Sequence, residues 1–377
     1  MHPSYPAARW ILATAAATAV QAAAGAGDLP LERLRLPDGF SAGIYGKADN
    51  ARQLALSDSG VLYVGSRRAG KVTALIDRDG DGQADESRVI AEDLALPSGL
   101  AWRDGDLYVA AVSTIYRFAD IDDHLGDPPA PEVILDDLPS ETHHGWKYLK
   151  FGPDGMLYVP VGAPCNICEP EEPFATILRL DVAAPAEREI VARGVRNSVG
   201  FDWDPATGDL WFTDNGRDHL GDEHPPCELN HVSAAGQHFG YPYFHGNGIA
   251  DPEYGSAGDS VDAYRKPALT LGPHVAPVGM TFYAGQQFPE RFRGDVILAE
   301  HGSWNRSEAA GPIGYRLIHA ERDASGALSY EVFVDGWLNA DGTRWGRPTD
   351  VLTLPDGSLL VADDEAGVVY RISYSGV

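Results

Sequence analysis

Basic residues are scarce in this sequence: 29 lysines and arginines stand against 55 aspartates and glutamates, a formal net charge of −26. Nucleic acid is thereby excluded as a partner, because displacing its counterions requires a basic footprint. An anionic membrane surface is excluded on the same ground, and the mutual repulsion favours a monomer or small homo-oligomer. Long apolar runs are absent beyond the first 20 residues, so no later segment is fit to span a bilayer. Helical periodicity is rare as well, which argues against an all-α or α/β chain. Cysteine is limited to Cys165, Cys168 and Cys227. Cys165-Asn-Ile-Cys168 is followed by Glu169 rather than His, so it is no haem attachment site, and two thiols are too few for structural zinc. Two disulfide arrangements fit an odd count: a Cys165–Cys168 clip with Cys227 buried, or Cys227 joined to one of the other two.

What the chain has in abundance is turn formers, 42 Gly and 27 Pro in 377 residues. Its N-terminus carries Arg9, an apolar run from Trp10 to Val20 and small residues from Ala22 to Gly27. That is the layout of a secretory leader over residues 1–26, and it implies a periplasmic or secreted mature chain over 27–377.

Within that chain a strand–turn–strand grammar recurs: "LALSDSGVLYVGS", "GLAWRDGDLYVAA", "LKFGPDGMLYVPVG", "FDWDPATGDLWFTD", "MTFYAGQQFPERFRGDVILAE" and "VLTLPDGSLLVADDEAGVVYRI". Asp-Gly and Thr-Gly pairs suit tight hairpins because they tolerate positive φ. The anchors Leu62, Leu107, Leu157 and Leu210 are 45, 50 and 53 residues apart, which is the length of a propeller blade. The gap of 86 residues from Leu210 to Val296 reads as a loop insertion on one face rather than a missing blade. Six anchors predict an all-β, six-bladed β-propeller as a single domain, with a site where loops converge at one end of the channel.

"DRDGDGQADES" places Asp77, Asp79, Asp81, Gln83 and Asp85 at calcium-loop spacing, with Gly82 for the turn. Arg88 stands at the twelfth position, where a calcium loop has Glu, and Glu86 lies nearby instead. The flanks read as strands, so the expectation is a hairpin holding a structural Ca²⁺.

Taken in order, "HHGWKYLKFGPDGMLYVPVGAPCNIC", "RGVRNSVGFDWDPATGDLWFTDNGRD", "CELN" and "RPTDVLTLPDGSLLVADDEAGVVYRI" resemble the soluble pyrroloquinoline quinone (PQQ)-dependent sugar dehydrogenases, in particular the sorbosone dehydrogenase-like and aldose sugar dehydrogenase-like branches. The resemblance runs from about Leu36 to the C-terminus. It implies PQQ and Ca²⁺ as cofactors, a sugar or sugar aldehyde as substrate, and an unknown electron acceptor such as a cytochrome or quinone. Residue by residue, it implies that His144 is the general base, with His143 one position off and turned the other way. Arg196 donates to the quinone oxygen and Asn197 accompanies it. Asn215, Gly216 and Arg217 match the segment around the cofactor calcium, with the Gly216 and Arg217 carbonyls as ligands. Asn305, Arg306 and Arg347 match basic contacts to the cofactor. Trp304 and Trp345 are equally candidates for stacking on a ligand or for packing.

Three departures stand out. Ala163 occupies the position of an Asp that orients the base, which leaves Glu141 or a backbone carbonyl for that task. "DHLGDEHPP" interrupts the calcium segment. Thr349 follows Arg347 where a second Arg is common. Two other readings remain: a calcium-dependent hydrolase of the lactonase type, needing a channel cation held by carboxylates and Asn, and a non-catalytic binding propeller, which leaves the His144 and Arg-Asn pattern without a purpose.

Overall fold

The computed structural model describes residues 29–323 and 325–376, so the leader expected over 1–26 lies outside the described residues. It is all-β, with six main sheets arranged as the blades of a propeller. In blade one the strands are Ala51–Leu56, Leu62–Ser66, Val72–Ile76 and Glu86–Ala91, running antiparallel from the centre outward. Blade two follows with Gly99–Arg103 to Glu132–Leu135, and blade three with Lys150–Phe151 to Arg188–Arg193. Blade four comprises Phe201–Trp203, Leu210–Asp214, Pro226–Val232 and Leu269–Pro273, and blade five runs from Pro277–Phe282 to Leu328–Val334. Every anchor residue read from the sequence falls in the second strand of its blade.

Two features were not legible in the repeat. Blade six takes Pro348–Thr353, Leu359–Asp363 and Val368–Tyr374 from the C-terminus and its outer strand, Phe40–Lys47, from the N-terminus. That pairing, Phe40 opposite Tyr374, closes the ring. The long insertion lies between the third and outer strands of blade four. It lays Gln237–His238 parallel to Arg188–Arg193 as a fifth strand of blade three, then forms a small hairpin of Phe244–His245 and Ile249–Ala250.

Burial explains the grammar. The second strands are packed on both faces, so Leu62–Ser66 and Leu157–Val161 are buried throughout, whereas the outer strand Glu86–Ala91 alternates. Apolar clusters fill the interfaces between neighbouring blades. Tyr63 and Val72 meet Leu107 and Phe118 between blades one and two, and Ile297 and Leu317 meet Val361 and Tyr370 between five and six. Turn chemistry sets the register: Arg103 pairs with Asp106 across Asp104-Gly105, whose φ angles of 53° and 92° are those of a two-residue hairpin turn.

Buried carboxylates pin strands together near the axis. Asp350, on the inner strand of blade six, accepts the Leu54 N–H of blade one at 2.8 Å, and burial pushes it up to about 7. Asp363 accepts the Arg347 N–H at 2.9 Å and the Tyr370 hydroxyl at 3.0 Å, and burial pushes it too up to about 7. In the folded chain both hold their protons more tightly than an unfolded aspartate does. Their stabilisation is therefore complete below about pH 4 and is lost as pH rises through about 7. Asp251 acts oppositely. Burial alone would raise it, but its bonds from His245 and Arg217 outweigh that and bring it to about 2, so its contribution is lost only in strong acid. The melting temperature is expected to peak in mild acid and fall between about pH 4 and about pH 7. Asp350→Asn should flatten that decline in a thermal melt series, and an identical slope would contradict this account.

Candidate active site

In a four-stranded antiparallel blade, the loop before the inner strand and the loop after the second strand lie at the same end. A cavity of about 600 Å³ opens at that end. The loops before inner strands bring His143, His144, Trp146, Arg196, Asn197, His274 and Arg347 to it. Those after second strands bring Arg67, Arg68, Asn215, Gly216 and His301. Five arginines (Arg52, Arg67, Arg68, Arg196, Arg347) and four histidines line the cavity, against one carboxylate, Asp218. In a chain of −26 charge, such a concentration marks a site for an anion.

His144 is 8% exposed and stands at φ 51°. Its Nδ1 lies 2.8 Å from the Ala163 carbonyl, so Nδ1 carries the proton and donates it there. Nε2 is left as a lone-pair acceptor with no protein partner among the described residues. Burial pushes the imidazolium well below the ordinary histidine range, and Arg196 and His143 add to the effect. The ring is therefore neutral at physiological pH. Gly162 is required beneath it, since a Cβ there would meet the His144 Cβ at 2.6 Å. The imidazole is thus oriented by the main chain of Ala163, where the sequence lacks a carboxylate.

His143 corrects an expectation. It lines the cavity beside His144, with ring centroids 4.1 Å apart, instead of pointing away. The left-handed backbone at His144 breaks the alternation that turns successive side chains to opposite sides.

Arg196 is buried and almost fully engaged. Nε donates to Asn166 O at 2.9 Å, Nη1 to Asn215 O at 3.0 Å, and Nη2 to Asn166 Oδ1 at 2.8 Å and Asp218 Oδ2 at 3.3 Å. One Nη1 hydrogen remains without an acceptor among the described residues. Asn197 lines the same cavity, and its Oδ1 is buried and unpartnered among the described residues. Both backbone N–H groups are held by Asp214, at 2.9 and 2.7 Å. Asp214 lies opposite Glu228 in the ladder, and burial raises both above the usual carboxylate range.

Asn215 donates to Asn197 O and Pro277 O, each at 3.0 Å. The carbonyls of Gly216 and Arg217 accept no hydrogen bond among the described residues, and of these two residues only Gly216 lines the cavity. The Arg217 guanidinium is paired with Asp251 at 2.5 Å and is not part of the cavity wall. Arg347 lines the cavity and donates to the carbonyls of His301 and Gly302 at 3.0 and 2.9 Å. Asn305 lines it too and donates to Asp218. Arg306 is not brought to the cavity: it donates to Gly311 O and Asp222 O, each at 2.9 Å, and pairs with Glu223 at 3.2 Å. Trp304 stands 71% exposed at the rim, whereas Trp345 donates to Gly336 O and packs on Trp337 and Tyr370.

At the opposite end of blade one, between its third and outer strands, Asp77, Asp79 and Asp85 bring carboxylate oxygens within 4.8 Å of one another. Asp81 is not in that group of carboxylates. Asp81 accepts the Gln83 N–H at 2.8 Å, closing its own turn, and Glu86 is taken by Arg78 and Arg88. This hairpin is remote from the cavity and cannot share a cation with it.

The model of the glucose/sorbosone dehydrogenase family matches residues 115–303, half of the chain and the span from blade two to blade five. The chain belongs to this family. A protein of Borreliella burgdorferi whose function is uncharacterised is 32% identical over 359 residues, covering 91% of this chain and 92% of that one. Among solved structures, the calcium structure of the Trichoderma reesei carbohydrate-active enzyme of family AA12 aligns with a TM-score of 0.78 at 18% identity, covering 91% of this chain and 97% of that one. The PQQ-bound aldose sugar dehydrogenase of Streptomyces coelicolor aligns with a TM-score of 0.61 at 19% identity, covering 90% and 100%. At these identities the two structures establish the propeller fold of this family member. The matched span contains His144, Arg196, Asn197, Asn215, Gly216 and Arg217; Asn305, Arg306, Arg347 and the Asp77–Asp85 hairpin lie outside it.

Sequence reading missed Arg52, Arg67, Arg68, His274 and His301. Arg67 is the most informative of these. Its guanidinium lies 3.8 Å over the Trp146 ring and has no carboxylate partner among the described residues. Burial, with Arg52 and Arg68 adding to it, pushes it down to about 10. The signal was present in "LYVGSRR": a basic pair directly after a second strand, at the end where "VGAPC", "TDNGR" and "AEHGS" also emerge.

Proposed function

We propose that this member of the glucose/sorbosone dehydrogenase family is a PQQ- and calcium-dependent oxidoreductase acting on a sugar or sugar aldehyde, with His144 as general base. One observation carries this reading: a neutral, oriented imidazole presents Nε2 at the wall of a cavity ringed by five arginines. The residues present fit the two cofactors. PQQ is a planar tricarboxylate, and the cavity offers it Arg67, Arg347 and the spare Arg196 hydrogen. Arg forks suit carboxylates better than Lys. Calcium favours oxygen donors, and the free Gly216 and Arg217 carbonyls are of that kind. Bound PQQ, polarised by Ca²⁺, supplies a two-electron acceptor for the substrate's hydride, chemistry that no side chain provides.

The protein's part is positioning and proton transfer. Nε2 of His144 takes the proton of the reacting hydroxyl, and the Ala163 carbonyl stabilises the imidazolium that results. Arg196 places positive charge where negative charge develops. Trp304 at the rim offers a face for a sugar ring. The Asp77, Asp79 and Asp85 carboxylates form the nucleus of a second, structural Ca²⁺ site. The leader-like residues 1–26 support export to the periplasm or beyond, with a cytochrome or quinone as electron acceptor. No helix among the described residues is long and apolar enough to cross a membrane.

The lactonase reading finds little here: the one carboxylate lining the cavity, Asp218, is already bonded to Arg196 and Asn305. A binding propeller has no need of a neutral base held by its tautomer. Arg67→Met separates the cofactor reading from a merely basic surface. It should weaken PQQ binding by about tenfold, as expected for loss of a partly buried charged contact, while leaving the melting temperature of the apoprotein unchanged. Titration of PQQ into both proteins by absorbance or calorimetry measures this, and equal affinities would count against Arg67 as a cofactor contact.

A further inference from the structure

We propose that Asn166 is the positioning residue for Arg196, and that the Cys165–Cys168 disulfide serves to hold Asn166 in place. The inference rests on the reading of Arg196 as a cofactor-facing residue. Asn166 takes both edges of the guanidinium fork: Nε donates to its carbonyl at 2.9 Å and Nη2 to its Oδ1 at 2.8 Å. The same Oδ1 accepts the Asp218 N–H at 2.8 Å, and its Nδ2 donates to Asp218 O at 3.1 Å. A single residue of blade three therefore fixes Arg196 and the segment that carries Asp218, which leaves blade four next to the Gly216 and Arg217 carbonyls. Neither Asn166 nor either bonded cysteine lines the cavity, so Asn166 meets it through Arg196.

Cys165 and Cys168 are joined, and Asn166 lies inside the ring they close; Cys227 is free and buried. The ring is docked on Tyr241, whose hydroxyl accepts the Cys168 N–H at 3.0 Å and lies 3.3 Å from Cys165 Sγ. Closing so short a loop removes little freedom from the unfolded chain, because closure entropy grows with loop length. Its effect is local: it restricts the backbone carbonyl and side chain that Arg196 grips. A surface loop of Gly, Ser and Asp could connect these strands equally well, but it would not hold two acceptors in one fork geometry.

The test compares wild type with Asn166→Ala, Asn166→Asp and Cys165→Ser/Cys168→Ser in the full-length protein. Asn166→Ala removes the Oδ1 acceptor and should lower kcat about tenfold, with substrate KM unchanged and the apoprotein still folded but melting somewhat lower. Asn166→Asp restores the acceptor and should recover most of that loss. The double cysteine variant should lose at least as much as Asn166→Ala. A second readout needs no cofactor: in the apoprotein, hydrogen exchange at Arg196 Nε–H, assigned by its absence in Arg196→Met, should be slow in wild type and faster in the double cysteine variant. Unchanged exchange in that variant, or wild-type kcat in Asn166→Ala, would overturn the proposal. If wild type itself shows no PQQ-dependent turnover, the functional reading fails, and the exchange measurement still decides whether Asn166 and its disulfide hold Arg196.

Discussion

His144→Ala is expected to lower kcat by about 10³-fold, within the range for loss of a general base, while PQQ affinity stays within about threefold of wild type, because no cofactor contact is assigned to the imidazole. His143→Ala, which removes a second ring from the same wall without touching the Ala163 bond, should cost less than about tenfold. The contrast follows from hydrogen bonding. His144 has a carbonyl on Nδ1 and a free Nε2, so its tautomer is set for proton abstraction. The pH profile adds a second check. A base must be unprotonated, and burial holds His144 well below the ordinary histidine pKa. Turnover should therefore rise only in acid and stay level across neutral pH, instead of climbing through the usual histidine range near 6.5. Equal losses in the two variants, or a profile rising through neutrality, would contradict the assignment.

Arg196→Met is expected to lower kcat by about 10²-fold or more, on the scale of losing a preorganised donor at developing negative charge. Cofactor binding should weaken at the same time. Arg196→Lys should not rescue it. The guanidinium is gripped on three sides, by Asn166, Asn215 O and Asp218, and a single ammonium cannot reproduce that fork. The methionine variant also leaves Asp218 without its buried cation, so its apoprotein should melt lower than wild type. Substantial recovery by lysine would show that only charge matters here, not geometry.

The fold was readable because each second strand is buried and follows a turn closed by a glycine at positive φ, with Asp or Thr before it in four of the six blades, so the motif survives at blade spacing. The N-terminal strand Phe40–Lys47 was not readable as part of blade six, because its partner Val368–Tyr374 lies at the other end of the chain and no turn links them. The site divides similarly. His144, Arg196, Asn197 and Asn215 stand in motifs with a defined order. Arg67 does not, since a basic pair after a strand reads as an ordinary surface turn until Trp146 is seen beneath it. Arg306 reads like Arg347 in sequence, yet the acceptors in its own loop and at Asp222 and Glu223 draw it away from the cavity. The orienting group for His144 is a main-chain carbonyl, which residue identity does not reveal. Asp81 shares the spacing of Asp77, Asp79 and Asp85, yet its carboxylate lies outside their cluster, which spacing alone does not reveal.

The central claim is tested most directly by reconstituting purified apoprotein with PQQ and Ca²⁺ and following dye reduction across a panel of aldoses and sugar aldehydes. The account predicts saturable PQQ binding and sugar-dependent dye reduction that requires both PQQ and Ca²⁺. Absence of binding and reduction under those conditions, or lactone hydrolysis with Ca²⁺ alone, would contradict it.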